Sequence, residues 1–183
     1  MKTAMTFVIA ALLLALAPAG VSLAAEVKLG VVDMSKLMES TEAAKGIFNE
    51  LEGKRKEFQT QIAQEEESLR TAEKEIVKKK DTLSKIEFDA KRKEFEDKVA
   101  EAQKMVQERK KTLDQGYISS VQSLKLEAAK IVADIAREKG LSAVLTQDAV
   151  ILAEPEMDIT QQVIAQMNAK VKKIPVDWSA KKK

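Results

Sequence analysis

Apolar residues recur at seven-residue spacing through the middle of this chain, separated by charged positions of both signs. One series runs Phe48, Arg55, Ile62, Leu69, Ile76, Leu83, and its companion runs Ala44, Leu51, Phe58, Glu65, Ala72, Lys79. Together they describe a coiled-coil stripe with polar interruptions. No Gly or Pro falls between Lys54 and Gln115, a span of 62 residues. As one straight helix that span would be roughly 90 Å long, too long for the interior of a compact domain. It must project, fold back, or pair with other chains.

The frame changes past Leu83. Phe88, Phe95 and Ala102 then share a phase, and Val99, Val106 and Leu113 complete the new seam. Between the frames sits Ser84-Lys85-Ile86-Glu87, a Ser followed three residues later by Glu, which is a capping box and a local signal for a helix start. The pattern predicts a bend near residues 83–88 joining two arms of about 40 residues, or roughly 60 Å each. The alternative is a continuous helix in a long dimeric coiled coil. Thr41 is placed to cap the first helix, which begins near Glu42. After Arg109 the apolar positions step by four through Leu113, Tyr117 and Val121, then resume as Leu124, Ala128, Ile131 and Ile135. Such a stutter locally unwinds a supercoil. Gly116 lies inside it and is a candidate hinge; a change of packing partner is the plainer reading.

The flanks change period. Residues 27–33 (VKLGVVD) alternate as a strand, with Val27, Leu29 and Val31 on one face, and a helical turn follows over 35–39. Lys139-Gly140 closes the returning helix with a terminal cation and a C′ glycine. Segments 141–146 (LSAVLT) and 149–153 (AVILA) read as strands joined in a hairpin at Gln147-Asp148, and Pro155 stops the second. Asp158-Ile159-Thr160-Gln161 reads as another capping box, opening a helix to about Lys172 with Val163, Ile164, Met167 and Val171 inward. Residues 174–183 read as a solvated basic tail.

The expected class is α+β: a small β body assembled by oligomerisation, with a long antiparallel α-helical coiled-coil hairpin projecting from it. Residues 25–41 and 140–173 form the body, and the hairpin arm, 42–139, is inserted between them. So small a sheet buries too little apolar surface to stand alone securely. Val27, Leu29, Val31, Val144, Val150 and Leu152 are the candidate assembly residues.

The N-terminus carries a different pattern. Lys2 precedes an apolar run of 11 residues, Phe7 to Ala17, broken by Pro18 and Gly20. A bilayer span needs about 20 apolar residues, so the run is too short for an anchor. Residues 1–24 read as a signal peptide cleaved after Ala24, with Ala25 the next choice, which places the mature chain outside the cytoplasm.

Composition narrows the chemistry. Lys and Arg total 31 against 29 Asp and Glu, and a nucleic-acid binder would carry a larger basic excess. With no Cys and no His, thiol nucleophiles, Cys/His zinc sites and His acid–base chemistry are absent. The 6 scattered glycines form no phosphate-cradling loop. No enzyme, no cofactor and no nucleic-acid partner is expected. Near the bend Lys78, Lys79, Lys80, Lys85, Lys91, Arg92 and Lys93 cluster beside apolar Ile86 and Phe88. These are candidate contacts for a client protein or a lipid surface. The bland readings are a solvated face paired with Glu75, Asp81, Glu87, Asp89 and Glu94, and packing of the bend.

The N-terminal VKLGVVDMSKLMES, the turn region LSKIEFDAKRKEFEDKV and the ending KGLSAVLTQDAVILAEPEMDITQQVIAQMN make the chain similar to the Skp/OmpH family of periplasmic chaperones. The resemblance covers essentially the whole mature chain and rests on the order of elements more than on any single motif. It implies a homotrimer whose strands form a central body and whose helical hairpins surround a cavity. It further implies ATP-independent binding of unfolded outer-membrane proteins, with anionic lipid contact near the arm tips. Two other functions stay open on the residues alone: a structural envelope coiled coil acting as spacer, tether or lipid-binding module, and an envelope enzyme or enzyme's accessory subunit, which the lack of His, Cys and a recognisable site disfavours.

Overall fold

A computed structural model describes residues 27–179. The expected signal peptide and the closing Lys181-Lys182-Lys183 lie outside the described residues. In chain order the elements are β1 (Leu29–Val32), α1 (Met34–Ser40), α2 (Glu42–Lys79), α3 (Lys85–Lys139), β2 (Ala143–Thr146) and α4 (Thr160–Lys170), with short 3-10 turns at Gln147–Ala149 and Pro155–Met157. The fold is α+β, with α2 and α3 forming the long hairpin.

Local signals in the sequence account for most element ends. Asp33 caps α1 by accepting from Lys36 N at 2.9 Å. Buried Thr41 both ends α1 and starts α2: its hydroxyl donates to Leu37 O at 2.8 Å and accepts from Ala44 N at 3.3 Å. The capping box at the bend is complete, with Ser84 Oγ accepting from Glu87 N and the Glu87 carboxylate accepting from Ser84 N. The turn itself occupies residues 80–84, at the leading edge of the expected bend. Gly140 adopts φ 65°, and Leu141 N and Gly140 N donate to Ala136 O and Arg137 O, which satisfies the last carbonyls of α3.

The strands meet differently from the sequence expectation. β1 pairs with β2 in parallel, Leu29 opposite Ala143 through Val32 opposite Thr146. Parallel strands need a long crossover, and here the whole helical hairpin provides it. On the other side of β1, Val31 bridges Asp158, with Ile159 N donating to Val31 O at 2.9 Å. Residues 149–153 form no strand and no hairpin with β2. The chain instead makes a 3-10 turn at Gln147–Ala149 and leaves Ile151 and Leu152 in solvent. Asp158 and Ile159 take the free side of β1, while the edge of β2 that a hairpin partner would use stays open.

The second capping box is also altered. Asp158 Oδ1 accepts from Thr160 N at 2.8 Å, and the Thr160 hydroxyl together with this backbone N–H holds the Asp158 carboxyl below its usual range, while Thr160 Oγ1 accepts from Asp33 N. Thr160 thus ties the start of α4 to the end of β1. α4 stops at Lys170, two residues short of the expected end.

The core lies where the base of the hairpin meets α1, β1 and α4. It gathers Leu37, Ala44, Ile47 and Leu51 with Leu124, Ile131, Ile135, Val163 and Met167. On α3 the buried face reads Gly116, Ser120, Leu124, Ala128, a strict step of four. The expected seam through Tyr117 and Val121 is displaced by one position: Tyr117 is exposed and Val121 half-buried.

The segment after α4 causes that shift. It is not a solvated tail: Ile174 and Val176 are buried in the core cluster and Trp178 packs against it. A Cβ on Gly116 would come within 2.9 Å of Val176 and Trp178, so the glycine makes room for this strap. Helix α3 runs through Gly116 without a break, and the strap packs against it there. Burying an Ile, a Val and part of a Trp contributes on the order of 6 kcal/mol. Ordering six residues costs about 1–2 kcal/mol each. The ordering cost thus offsets most or all of the burial gain, so the strap is not strongly held.

Candidate functional site

The arm offers surface in place of a pocket. Phe58 is the last fully buried residue along α2, and between 59 and 115 every residue is half-buried or exposed. Ile62, Leu69 and Ile76 of α2 line the inner seam with Phe88, Phe95 and Val99 of α3, all half-buried. A two-helix seam can cover only one side of each apolar side chain, so the other stays accessible. Val106, expected in the seam, sits at its edge with Met105 turned inward. Short-range ion pairs such as Lys98–Glu94 at 2.9 Å and Arg55–Glu52 at 2.8 Å line the outer faces. Exposed pairs of this kind keep the helices soluble and add little stability.

At the base of the arm the chemistry is denser. Two cations lie over the Phe58 ring, Lys54 Nζ at 5.0 Å and Arg109 Cζ at 4.7 Å from its centroid. On the neighbouring face Phe48 and Tyr117 stack at 6.5 Å, tilted by 38°. With Leu51, Arg55, Leu113 and Asp114 they line an open groove of about 610 Å³. Gln61 Oε1, Arg109 Nε, Gln115 Oε1 and Ser120 Oγ are buried here without hydrogen-bond partners among the described residues.

The tip gathers the sequence-predicted cations. Lys78, Lys79, Lys80, Lys85, Lys91, Arg92 and Lys93 are all exposed around the 80–84 turn. Seven cations face three carboxylates across 78–93, a net charge of +4. Among the described residues, Arg92 is the one of the seven in an ion pair, with Glu96 at 3.0 Å. Two of the five carboxylates that the paired-face reading needs have other hydrogen-bond partners, although Lys91 also acts on Glu94 through its charge. Glu94 is held by Lys98, and Glu87 by the Ser84 hydroxyl and backbone; both carboxyls lie below their usual range for that reason. Ile86 is 83% exposed, so it does not pack the bend, whereas Phe88 is half-buried in it.

The candidate assembly residues separate into two groups. Val31 is buried, and Leu29, Val144 and Val150 are half-buried within the chain's own fold. Val27 and Leu152 are exposed, at 68% and 89%. Fully exposed Ile151 and part-exposed Leu145 join them, although the sequence reading did not single these out. The loop from Val150 to Pro155 and Val31 border a cavity of about 320 Å³. β2 presents an open edge beside this apolar loop, and such an edge is a template for pairing with another chain.

Sequence reasoning missed the strap. Its signal was the alternation of Ile174, Val176 and Trp178 with Pro175, Asp177 and Ser179, a period of two inside a segment read as polar tail.

The comparisons with known proteins agree with this architecture. No curated protein matches the chain. Among solved structures, a candidate OmpH-like outer membrane chaperone from Caulobacter crescentus CB15, determined at 2.83 Å resolution, superposes with a TM-score of 0.77. It shares 20% sequence identity, over 82% of this chain and 89% of that one, a likeness of fold. The profile of the OmpH-like outer membrane protein family matches residues 28–167, from β1 into α4 and across the whole hairpin. The chain belongs to the OmpH-like outer membrane protein family.

Proposed function

We propose that this protein is an ATP-independent holdase of the periplasm, reached through the N-terminal signal peptide, that binds unfolded outer-membrane proteins as a homotrimer and keeps them from aggregating. The observation that carries the reading is the arm: a family-typical hairpin on which no residue from 59 to 115 is fully buried. Unfolded barrel strands alternate apolar and polar residues and aggregate in water. A long half-apolar seam with mixed charge offers such chains many weak contacts, whose combined avidity is useful while each contact exchanges fast. The test is light scattering of an outer-membrane barrel protein diluted from urea, with and without the mature chain and with no nucleotide. Suppressed scattering, with three copies per client in size-exclusion chromatography with mass detection, is the expected result. Undiminished aggregation of several clients at several-fold excess chaperone would move the assignment to a structural tether.

The tip supports a contact with anionic lipid in addition, because among the described residues six of its seven cations form no close ion pair, the local charge is positive, and Ile86 stands exposed among them. Flotation with anionic vesicles is expected to carry the protein and neutral vesicles to leave it behind. Raising salt from 0.05 to 0.5 M should release it, since the field is screened within about 10 Å at 0.1 M. Equal flotation with both vesicle types would exclude an electrostatic tip contact.

A further inference from the structure

The strap after α4 lies outside the segment that matches the family, yet it fills the groove between α2 and α3 at the root of the arm. Three contacts give its path along α2: Lys172 Nζ to Glu42 at 3.9 Å, Lys173 Nζ to Glu50 at 3.5 Å, and Lys54 Nζ over the Trp178 ring at 6.0 Å. From Glu42 to Lys54 is roughly 18 Å along a helix, and six residues of extended chain reach roughly 20 Å. The strap is therefore an extended peptide laid along α2, with Ile174, Val176 and Trp178 turned inward and Pro175 and Asp177 outward.

We infer that this groove is a binding site for extended polypeptide with alternating apolar residues, and that the strap is its built-in competing occupant. Three features support displacement over permanent attachment. Among the described residues, no backbone hydrogen bond joins 174–178 to the helices beneath, so side chains alone hold the strap. Ser120, one turn from Gly116 on the same face of α3, is 1% exposed with its hydroxyl unpaired, leaving an acceptor and donor that the strap does not use. The strap pattern is also the pattern of an unfolded barrel strand, apolar at every second residue. This inference rests on the proposed chaperone function and adds its regulation: a client must evict the strap, so free protein keeps this groove covered and loaded protein does not.

Trp178 is the chain's only tryptophan, so its emission reports the strap directly. The probe is an urea-unfolded outer-membrane barrel protein with every tryptophan replaced by phenylalanine, added to the intact mature chain. On client binding, Trp178 emission is expected to shift to the red and to become more accessible to acrylamide. The full-length double variant Ile174→Asp/Val176→Asp should show the shifted emission without client. It should bind the client about tenfold more tightly, the gain expected if the strap covers the groove about nine-tenths of the time. If aggregation is suppressed while Trp178 emission stays unchanged at saturating client, the strap is a fixed clamp and this inference fails, with the chaperone reading intact. If neither form suppresses aggregation, the chaperone reading falls and takes the inference with it. The wild-type emission needs no variant to fold, so the outcome is read in the native chain.

Discussion

Replacing Ile151 and Leu152 with aspartate is expected to leave the chain folded and to dissociate the proposed homotrimer to single copies in solution. Both side chains stand in solvent in the single chain, so neither substitution opens a cavity or breaks a contact of the protomer fold. Exposed substitutions of this kind usually change stability by about 0.5 kcal/mol or less. Their effect falls on assembly. If the apolar loop of 150–153 and the open edge of β2 meet the same surfaces of neighbouring copies, each Asp is buried without a cation to pair with. An unpaired buried charge costs several kcal/mol, and about 1.4 kcal/mol is already a tenfold change in association. A closed ring repeats the penalty at every interface. Size-exclusion chromatography with mass detection reads the result, and far-UV circular dichroism checks that the helices persist. Retention of the parent mass by the double variant would place the assembly surface elsewhere.

The second large effect is on stability. Phe58→Ala is expected to destabilise the protein by roughly 3–5 kcal/mol, the usual cost of deleting a fully buried aromatic side chain. Phe58 is buried where the arm leaves the body, and both Lys54 and Arg109 lie over its ring. Removing it also strips Arg109, whose Nε is already buried without a partner, of its aromatic support. For a chain of this size the loss corresponds to a fall in Tm of roughly 6–20 °C. Phe58→Leu keeps most of the volume and should cost less than about 1.5 kcal/mol, so it separates packing from cation–π contact. The two variants must be compared with the parent at equal protein concentration, since association shifts apparent stability. A drop in Tm of under 2 °C for Phe58→Ala would mean that the arm base repacks freely and that the body alone holds the fold.

What could be read in the chain follows the range of the interactions involved. Thr41, Ser84 with Glu87, and Gly140 act on backbone groups within five residues of themselves, so the ends of α2 and α3 and the reversal between them were visible in the letters. The seven-residue rhythm of Ile62, Leu69 and Ile76 likewise marked the seam, because a helix face is set by spacing alone. The tip cations were legible as a cluster, but whether they were neutralised depended on where Glu87 and Glu94 spent their hydrogen bonds. The assembly residues were half legible: alternation identified apolar strands, yet it could not say that Val31 would be covered by the chain's own Asp158 and Ile159 while Ile151 stayed bare.

The sequence by itself determined a helical hairpin with a capped turn, a cationic tip and a small body split between the segments that flank the hairpin. Only the tertiary structure decided that β1 and β2 run parallel, that 149–153 stays out of the sheet, and that Ile174, Val176 and Trp178 lie across Gly116. Those outcomes depend on contacts between segments distant in the chain, β1 with residues more than a hundred positions on and Gly116 with a strap about sixty positions on. No local propensity ranks such contacts; the surface each one buries does.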